Sequence, residues 1–451
     1  MCRCTGNTRR CVRACCNASA KCCAKPRPKP CGPDPRGCYH RPDPPREAFV
    51  SATAPSSPPG TAREVFAAFA RLGLTGFGGP IAHLAYFREE FVRRRGWLDD
   101  ARYAQLLSLC QFLPGPASSQ MGLAIGLLRA GWRGALAAFV AFTLPSALAM
   151  FAFAALAPRL NQGLGAAAVH GLKLVAVVVV AHGLLGMARR LTPDWPRAAL
   201  ALAAAALVSL SGSAWAQLLA IAAGGVLGRW LCRSARTETA SGFALPYGRR
   251  AALAFAAAFA LGLALALLWP QSASATPTAL AAAFYRAGAL VFGGGHVVLP
   301  LLQQAVVDSG WIGADRFLAG YGAAQAMPGP MFSLAAFLGA ETPLAAPAAV
   351  GAAIALAALF LPGFLILLAA LPAWKTLAGR PAAASAMAGV NAAVVGLLAA
   401  ALWSICGAGV RGWSDTAIVA VGFALLAVAR LSALWIVLWC LLAAVAASLL
   451  G

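Results

Sequence analysis

Apolar positions in this chain fall in long continuous runs rather than in alternation. Ala251–Trp269 and Leu431–Leu450 are each close to 20 residues long and almost uncharged, which matches the ~30 Å hydrocarbon core of a bilayer. Such runs predict transmembrane α-helices, and the alternation that a membrane β-barrel needs is missing. Continuous stretches at roughly 134–157, 164–188, 197–210 and 214–231 predict further spans. Two stretches break the pattern. Glu64–Ile81 is interrupted by Gly73, Gly76, Gly78, Gly79 and Pro80, and Tyr103–Leu128 is interrupted at Gln111-Phe112-Leu113-Pro114-Gly115-Pro116. Two prolines around a glycine remove amide donors and fix φ, so neither stretch reads as one continuous helix.

The broken pattern then recurs. Arg71 and Phe77-Gly78-Gly79 fall on Arg286 and Phe292-Gly293-Gly294 at a shift of 215. Trp97 falls on Trp311, Gln111-x-x-Pro114-Gly115-Pro116 on Gln325-x-x-Pro328-Gly329-Pro330, and Ser119 on Ser333, all at a shift of 214. Leu144-Pro145 and Leu361-Pro362 continue the register, and Gly171-Leu172-Lys173 falls on Gly389-Val390-Asn391. The chain is an internal duplication.

Charge gives the two copies opposite faces. After the first glycine break come Arg88, Arg93, Arg94, Arg95 and Arg102 against Glu89, Glu90, Asp99 and Asp100. After the second, Gln303–Arg316 carries only Arg316 against Asp308 and Asp315. Cytoplasmic loops are enriched in Lys and Arg, so the first segment is expected inside and the second outside. The loops at Arg189–Arg197, Arg229–Arg250 and Lys375–Arg380 are then cytoplasmic, and Arg411 is a lone external exception. The expected fold is an all-α polytopic membrane protein made of two inverted-topology repeats with broken or re-entrant helices. Residues 63–231 form the first membrane repeat and 278–451 the second. The span that makes inversion possible lies in 232–277, a basic loop and linking transmembrane helix.

Composition agrees: 60% of the 451 residues are hydrophobic and 11% charged, with mean hydropathy +0.74, where a soluble chain carries roughly 25% charged residues. The net charge of +22 is confined largely to loops. It is read as a topology signal toward the lipid bilayer rather than as a nucleic-acid surface. Residues 1–60 stand apart, with nine of the thirteen cysteines, many Arg, Lys and Pro, and few aliphatic residues. The spacings make no paired Cys-x2-Cys knuckles, and no apolar centre marks a signal peptide. This head is expected to be a disordered extension, with no metal or other cofactor. Cys110, Cys232, Cys406 and Cys440 read as small apolar residues.

Inverted repeats with broken helices predict a binding site where the breaks meet. Helix N-termini there expose unpaired N–H groups and partial positive charge, and glycine lets an anion approach closely. Arg71 and Arg286 sit inside apolar segments beside the breaks, where a charge is costly and an arginine can grip an oxyanion. The expected anion path therefore comprises Arg71, Gly78, Gly79, Gln111, Gly115, Ser119, Arg286, Gly293, Gly294, Gly295, His296, Gln325, Gly329 and Ser333. No carboxylate lies within the breaks, which favours an anion over a cation site of freed carbonyls. His83 and His296 offer a proton relay or, equally, structural donors to backbone carbonyls. Lys173, with His170 and His182 on the same span, ranks below the arginines. No nucleophile–base pair or metal cluster appears in the spans, so no enzyme is expected.

The motifs Arg71-Leu-Gly-Leu-Thr-Gly-Phe-Gly-Gly-Pro80, Gln111-Phe-Leu-Pro-Gly-Pro116, Phe292-Gly-Gly-Gly-His-Val-Val-Leu-Pro-Leu-Leu302 and Gln325-Ala-Met-Pro-Gly-Pro330 resemble the chromate ion transporter family in its two-domain form. The resemblance covers about 63–451. It implies export of chromate from the bacterial cytoplasm across the inner membrane, driven by the membrane potential or a proton gradient in a secondary antiporter. The absence of a Gly-x4-Gly-Lys-Ser/Thr loop agrees. Members commonly have an aromatic residue after the second glycine run, where this chain has His296. Sulfate or another tetrahedral oxyanion, an anion channel, and a homodimeric state stay open on the sequence.

Overall fold

The computed structural model describes residues 60–160, 162–211, 214–232, 243–270, 274–292 and 295–450. The cysteine-rich extension up to residue 59, most of the basic loop at 233–242, and Gly293 and Gly294 lie outside them. Among the described residues there are helices and no strands. Five helices are long and apolar enough to cross a membrane, as an all-α polytopic membrane protein requires.

The first broken stretch becomes α1 (Ala62–Thr75), α2 (Gly79–Arg88) and a π-helical turn at Glu89–Arg94. Thr61 caps α1 by accepting from the Glu64 amide at 3.2 Å. Glu64 in turn accepts from the Trp97 indole at 3.2 Å and pairs with Arg129 at 3.2 Å. This fastens the two ends of a hairpin whose interior is the aromatic cluster Phe69, Phe87, Phe91 and Phe142. The second broken stretch becomes α3 (Asp100–Phe112) and α4 (Ala117–Leu156). Although α4 is helical along most of its length, it is not one rod. Ala130 and Gly131 leave helical φ/ψ, and a Cβ on Gly126 would touch the backbone of Gly134 and the side chain of Ala138. In a straight helix residues eight apart are about 12 Å apart. The chain therefore doubles back at 130–131, and the arm after it matches the span expected at 134–157.

Next come α5 (Gly163–Leu191), α6 (Trp195–Ser211), α7 (Ala214–Leu231) and α8 (Arg249–Leu268). The later half follows the same order: α9 (Pro277–Ala289), a 3-10 turn at Gly295–Val297, α10 (Val298–Val306), α11 (Ala314–Ala326), a 3-10 turn at Met331–Ser333, and α12 (Leu334–Glu341). Then α13 (Ala348–Ala370), a short α14 (Trp374–Ala378), α15 (Pro381–Gly409), α16 (Trp413–Ala427) and α17 (Ala433–Leu450) complete the chain.

Packing is reciprocal between halves. In the hairpin bundle α1 lies on α4 and α9 lies on α13. Gly73 meets the carbonyls of Ala141 and Phe142, and Gly288 meets that of Leu359. In the flanking bundle α5 and α15 lie side by side. The early-half helices α6 and α7 pack on α15, whereas the late-half α16 and α17 pack on α5. Small residues make the close approaches, Gly389 against Gly224 and Gly228, and Gly171 against Cys440 and Leu441, as expected of helices in lipid.

Candidate anion site at the crossing of the broken helices

α1 ends because Gly76 turns out of the helix, its N–H reaching back to the Leu72 carbonyl at 2.7 Å. Gly78 and Gly79 then take φ of 99° and 75°, a region that L side chains rarely enter. Pro80 starts α2, where its missing N–H costs nothing. Gly115 and Gly329, each between two prolines, have φ of 122° and 94°.

One backbone N–H of each Pro-Gly-Pro turn is satisfied by the glycine break of the other half. The Gly115 N–H donates to the Val291 carbonyl at 2.7 Å, and the Gly329 N–H donates to the Gly76 carbonyl at 2.9 Å. In the sequence register Gly115 corresponds to Gly329 and Gly76 to Val291, so these are two copies of one bond made in both directions. Exposed backbone at membrane depth is tolerated only where protein or a wet cavity meets it. Here it is met by protein. The approach is tight: a Cβ on Gly115 would stand 2.8 Å from the Gly363 Cα, and one on Gly329 would stand 2.9 Å from Ser146 Oγ.

Buried side chains complete the crossing. Gln120 is fully buried and its Nε2 donates to the Pro114 and Gly363 carbonyls, both at 2.8 Å. His83 Nε2 lies 2.9 Å from the Gly76 carbonyl. A carbonyl only accepts, so Nε2 carries the hydrogen and the buried, unpartnered Nδ1 is bare in the neutral ring. His83 thus takes the structural role, sharing Gly76 with Gly329.

Of the expected path residues, Ser119 and Ser333 lie in the first turns after Pro116 and Pro330. Both hydroxyls are buried without a partner, at helix starts that no side chain caps. Gln325 is buried with its amide on Met331 Sδ at 2.9 Å. Its register partner Gln111 is exposed, so only one of the two glutamines is at the crossing. Gly295 and His296 form the 3-10 turn after the second break. His296 Nδ1 lies 2.9 Å from the buried Tyr321 hydroxyl, and its ring packs on Gly183 of α5. Arg71 is exposed and Arg286 half-buried, each a turn before its break. Lys173 is a buried ion-pair partner of Asp315 at 2.6 Å, and His170 lies 2.9 Å from Asp415. Both belong to a charge cluster joining α5 to the starts of α11 and α16.

Gln120 and Tyr321 are the functional candidates that the sequence does not flag. Neither has a like residue at its register partner, so a search for shared positions passes over them. The available signal for Gln120 was a polar residue one step beyond Ser119 in an otherwise apolar helix.

Among the described residues, no carboxylate reaches the crossing, and no group of three His, Cys, Asp or Glu has the proximity to hold a metal ion. The acid nearest in sequence to the second Pro-Gly-Pro segment, Glu341, pairs with Arg316 at 3.2 Å. Uncapped helix starts, buried hydroxyl donors and glycine backbone suit an oxyanion better than a cation.

Comparison with known proteins gives the same direction. The family model for chromate transporters matches residues 63–229 and 278–447. The chain is 28% identical over 379 residues to the chromate transport protein of Cupriavidus metallidurans, covering 80% of this chain and 86% of that one. It is 28% identical over 363 residues to the chromate transport protein of Pseudomonas aeruginosa, covering 79% and 84%. An uncharacterized transporter of Methanocaldococcus jannaschii is 26% identical over 342 residues, covering 75% and 83%. No solved structure matches. With both motif-bearing segments matched in order, the chain belongs to the chromate transporter family.

Proposed function

We propose that the chain is a secondary active transporter that exports chromate across the bacterial inner membrane, with the anion passing the crossing of the two broken segments. The observation that carries this is the pairing of reciprocal Gly115–Val291 and Gly329–Gly76 bonds with two uncapped helix starts, each holding a buried unpartnered hydroxyl, Ser119 and Ser333. In this reading 63–231 and 278–451 are repeats of opposite topology, supported by the arginine excess after the first break and its lack after the second. The glycines of both breaks, Gln325, His296, Arg71 and Arg286 complete the path. Either exchange for an incoming proton or, without a counter-ion, the membrane potential acting on the dianion drives export.

Sulfate is the second reading, because it is also a tetrahedral dianion and the donors at the crossing bind shape and charge. Everted vesicles test both readings. Chromate accumulation is expected to saturate, to collapse with a protonophore, and to be reduced by excess sulfate in proportion to sulfate's affinity. Accumulation no faster than in vesicles lacking the protein would overturn the transport reading. Steady flux indifferent to the gradient would convert it to a channel.

A further inference from the structure

Lys173 carries a charge that the fold has to answer. Its side chain is 8% exposed, on a stretch of α5 whose neighbours Leu172, Leu174, Val175 and Ala176 are all buried. An ion left unpaired in such surroundings is costly. The acid that answers it comes from the other half. The Lys173 ammonium donates to Oδ1 of Asp315, at the start of α11, at 2.6 Å, and the Arg411 guanidinium lies 3.6 Å from Oδ2 of the same carboxylate. Asp315 is itself 58% exposed and Arg411 63%, so one carboxylate bridges a buried cation and an open one. The neighbouring acid, Asp415, is engaged elsewhere: it meets His170 at 2.9 Å and accepts from the Arg411 backbone N–H at 2.8 Å. Arg316, next to Asp315, is paired with Glu341 at the end of α12.

The bridge stands at one end of the proposed passage. From Asp315, α11 leads in ten residues to Gln325 beside the second Pro-Gly-Pro turn, about 15 Å at 1.5 Å per residue. It lies on α5 so closely that a Cβ on Gly322 would touch the Leu172 carbonyl. In the topology proposed above, the Asp315 end is the outer one. The bridge is also one-sided, because in the register Lys173 falls on Asn391 and Asp315 on Ala101, both neutral. Finally, the two cations and the acid sit on different bodies. Lys173 and Arg411 belong to the flanking bundle, whereas Asp315 belongs to the α11–α12 hairpin, whose second arm packs on α4 and α13. Moving that hairpin off α5 would uncover both cations together.

We propose that Lys173 and Arg411 form the exit site for the transported oxyanion, and that the Asp315 carboxylate is a tethered stand-in that displaces the anion from it. The two oxygens of Asp315 mark where two oxygens of a tetrahedral dianion sit, one on each cation. Two cations match a dianion better than they match a single carboxylate, so the anion can take the place of Asp315. With the hairpin away, the buried ammonium needs another anion and the passing oxyanion supplies it. When the hairpin returns, the high effective concentration of its carboxylate expels the anion outward and hinders rebinding. This assignment rests on the chain exporting an oxyanion, and the test separates the two.

Wild type, Asp315→Asn, Asp315→Asn combined with Lys173→Met, and Arg411→Gln are compared. Purified protein in detergent is melted across chromate and sulfate concentrations, with chloride at matched ionic strength as the reference. Asp315→Asn is expected to melt below wild type in chloride. Either oxyanion should restore it, at a midpoint on the order of 10-fold below the one that protects wild type, because the tethered competitor is gone. Adding Lys173→Met should abolish the restoration. Everted vesicles, whose lumen faces the outer end, are then loaded with sulfate and given chromate outside, with uptake scaled to protein in the membrane. The luminal sulfate concentration that half-changes uptake should fall on the order of 10-fold in Asp315→Asn and rise in Arg411→Gln. If wild type neither moves nor binds either oxyanion, the transport reading falls and the exit site with it. If wild type does both, but oxyanions protect Asp315→Asn no better than chloride, or equally well without Lys173, the bridge is only an ion pair between helices. The exit assignment is then overturned and the transport reading stands. Should Asp315→Asn fail to accumulate, Arg411→Gln decides: a higher luminal midpoint supports the site, and a wild-type midpoint overturns it.

Discussion

Replacing Gly115 or Gly329 by alanine tests the crossing most directly. At Gly115 the backbone has φ of 122°, and holding a non-glycine residue in such a region costs about 1–3 kcal/mol. The new Cβ would also stand 2.8 Å from the Gly363 Cα and 2.8 Å from Gln120 Nε2. One obstacle is backbone and the other is a side chain fixed by two hydrogen bonds, so the Pro-Gly-Pro turn must withdraw. Withdrawal breaks the 2.7 Å bond to Val291 and strands a buried donor and acceptor, adding about 1–3 kcal/mol. The total is about 2–6 kcal/mol, enough at about 1.4 kcal/mol per decade to reduce the population of the crossed geometry more than tenfold. At Gly329 the φ of 94° imposes similar strain, but the nearest obstacle is Ser146 Oγ at 2.9 Å, which can rotate. Gly329→Ala should therefore be severe but milder than Gly115→Ala, and Ser146→Gly should relieve part of the first and none of the second. Gly96→Ala is the control: its φ is 58° with nothing within 4 Å of the added Cβ, so only about 1–2 kcal/mol of left-handed strain applies. Chromate uptake into everted vesicles, scaled to membrane abundance, reads the result. Wild-type uptake by Gly115→Ala at wild-type abundance would refute the claim that the two halves are joined through these bonds.

Two further perturbations address what holds the crossing and its surroundings. Gln120→Leu leaves the Pro114 and Gly363 carbonyls without their shared donor in a fully buried site. It should lower the melting point in detergent by an amount corresponding to about 2–4 kcal/mol, while Gln111→Leu on the exposed face should not; equal melting points for the two variants would contradict the geometry. Asp315 is held below the usual carboxylate range, chiefly by its hydrogen bond from Lys173 and against the opposing effect of burial. A depressed folded pKa gives stabilisation that is present above the unfolded value near 3.9 and lost as pH falls below it, so melting of the wild type should decline through that window. Asp315→Asn strands the buried Lys173 ammonium and should destabilise more at neutral pH than Asp315→Asn combined with Lys173→Met. The acid decline should flatten in the double variant, and an unchanged slope there would show that another group is responsible.

The architecture is legible in the sequence because it depends on what the halves share. Apolar runs set the spans, and paired glycine and proline breaks set where helices stop. A register of 214 or 215 pairs Gly115 with Gly329 and Ser119 with Ser333 before any fold is known. The turn at 130–131 lies close to the boundary between 128 and 134 that hydropathy suggests. The direction of the cross-half bonds is not legible, since nothing in a linear repeat says whether Gly115 meets its own break or the other one. The exchange of α6 and α7 onto α15, and of α16 and α17 onto α5, is hidden for the same reason.

Binding chemistry is harder to read because it rests on what the halves do not share. Gln111 and Gln325 match in sequence, yet one faces outward and the other is buried. Gln120 faces Leu334 in the register, and Glu90 faces Gln304. What the halves share therefore joins them through the Gly115–Val291 and Gly329–Gly76 bonds, and what they do not share leaves Gln120 to hold the crossing from one side alone.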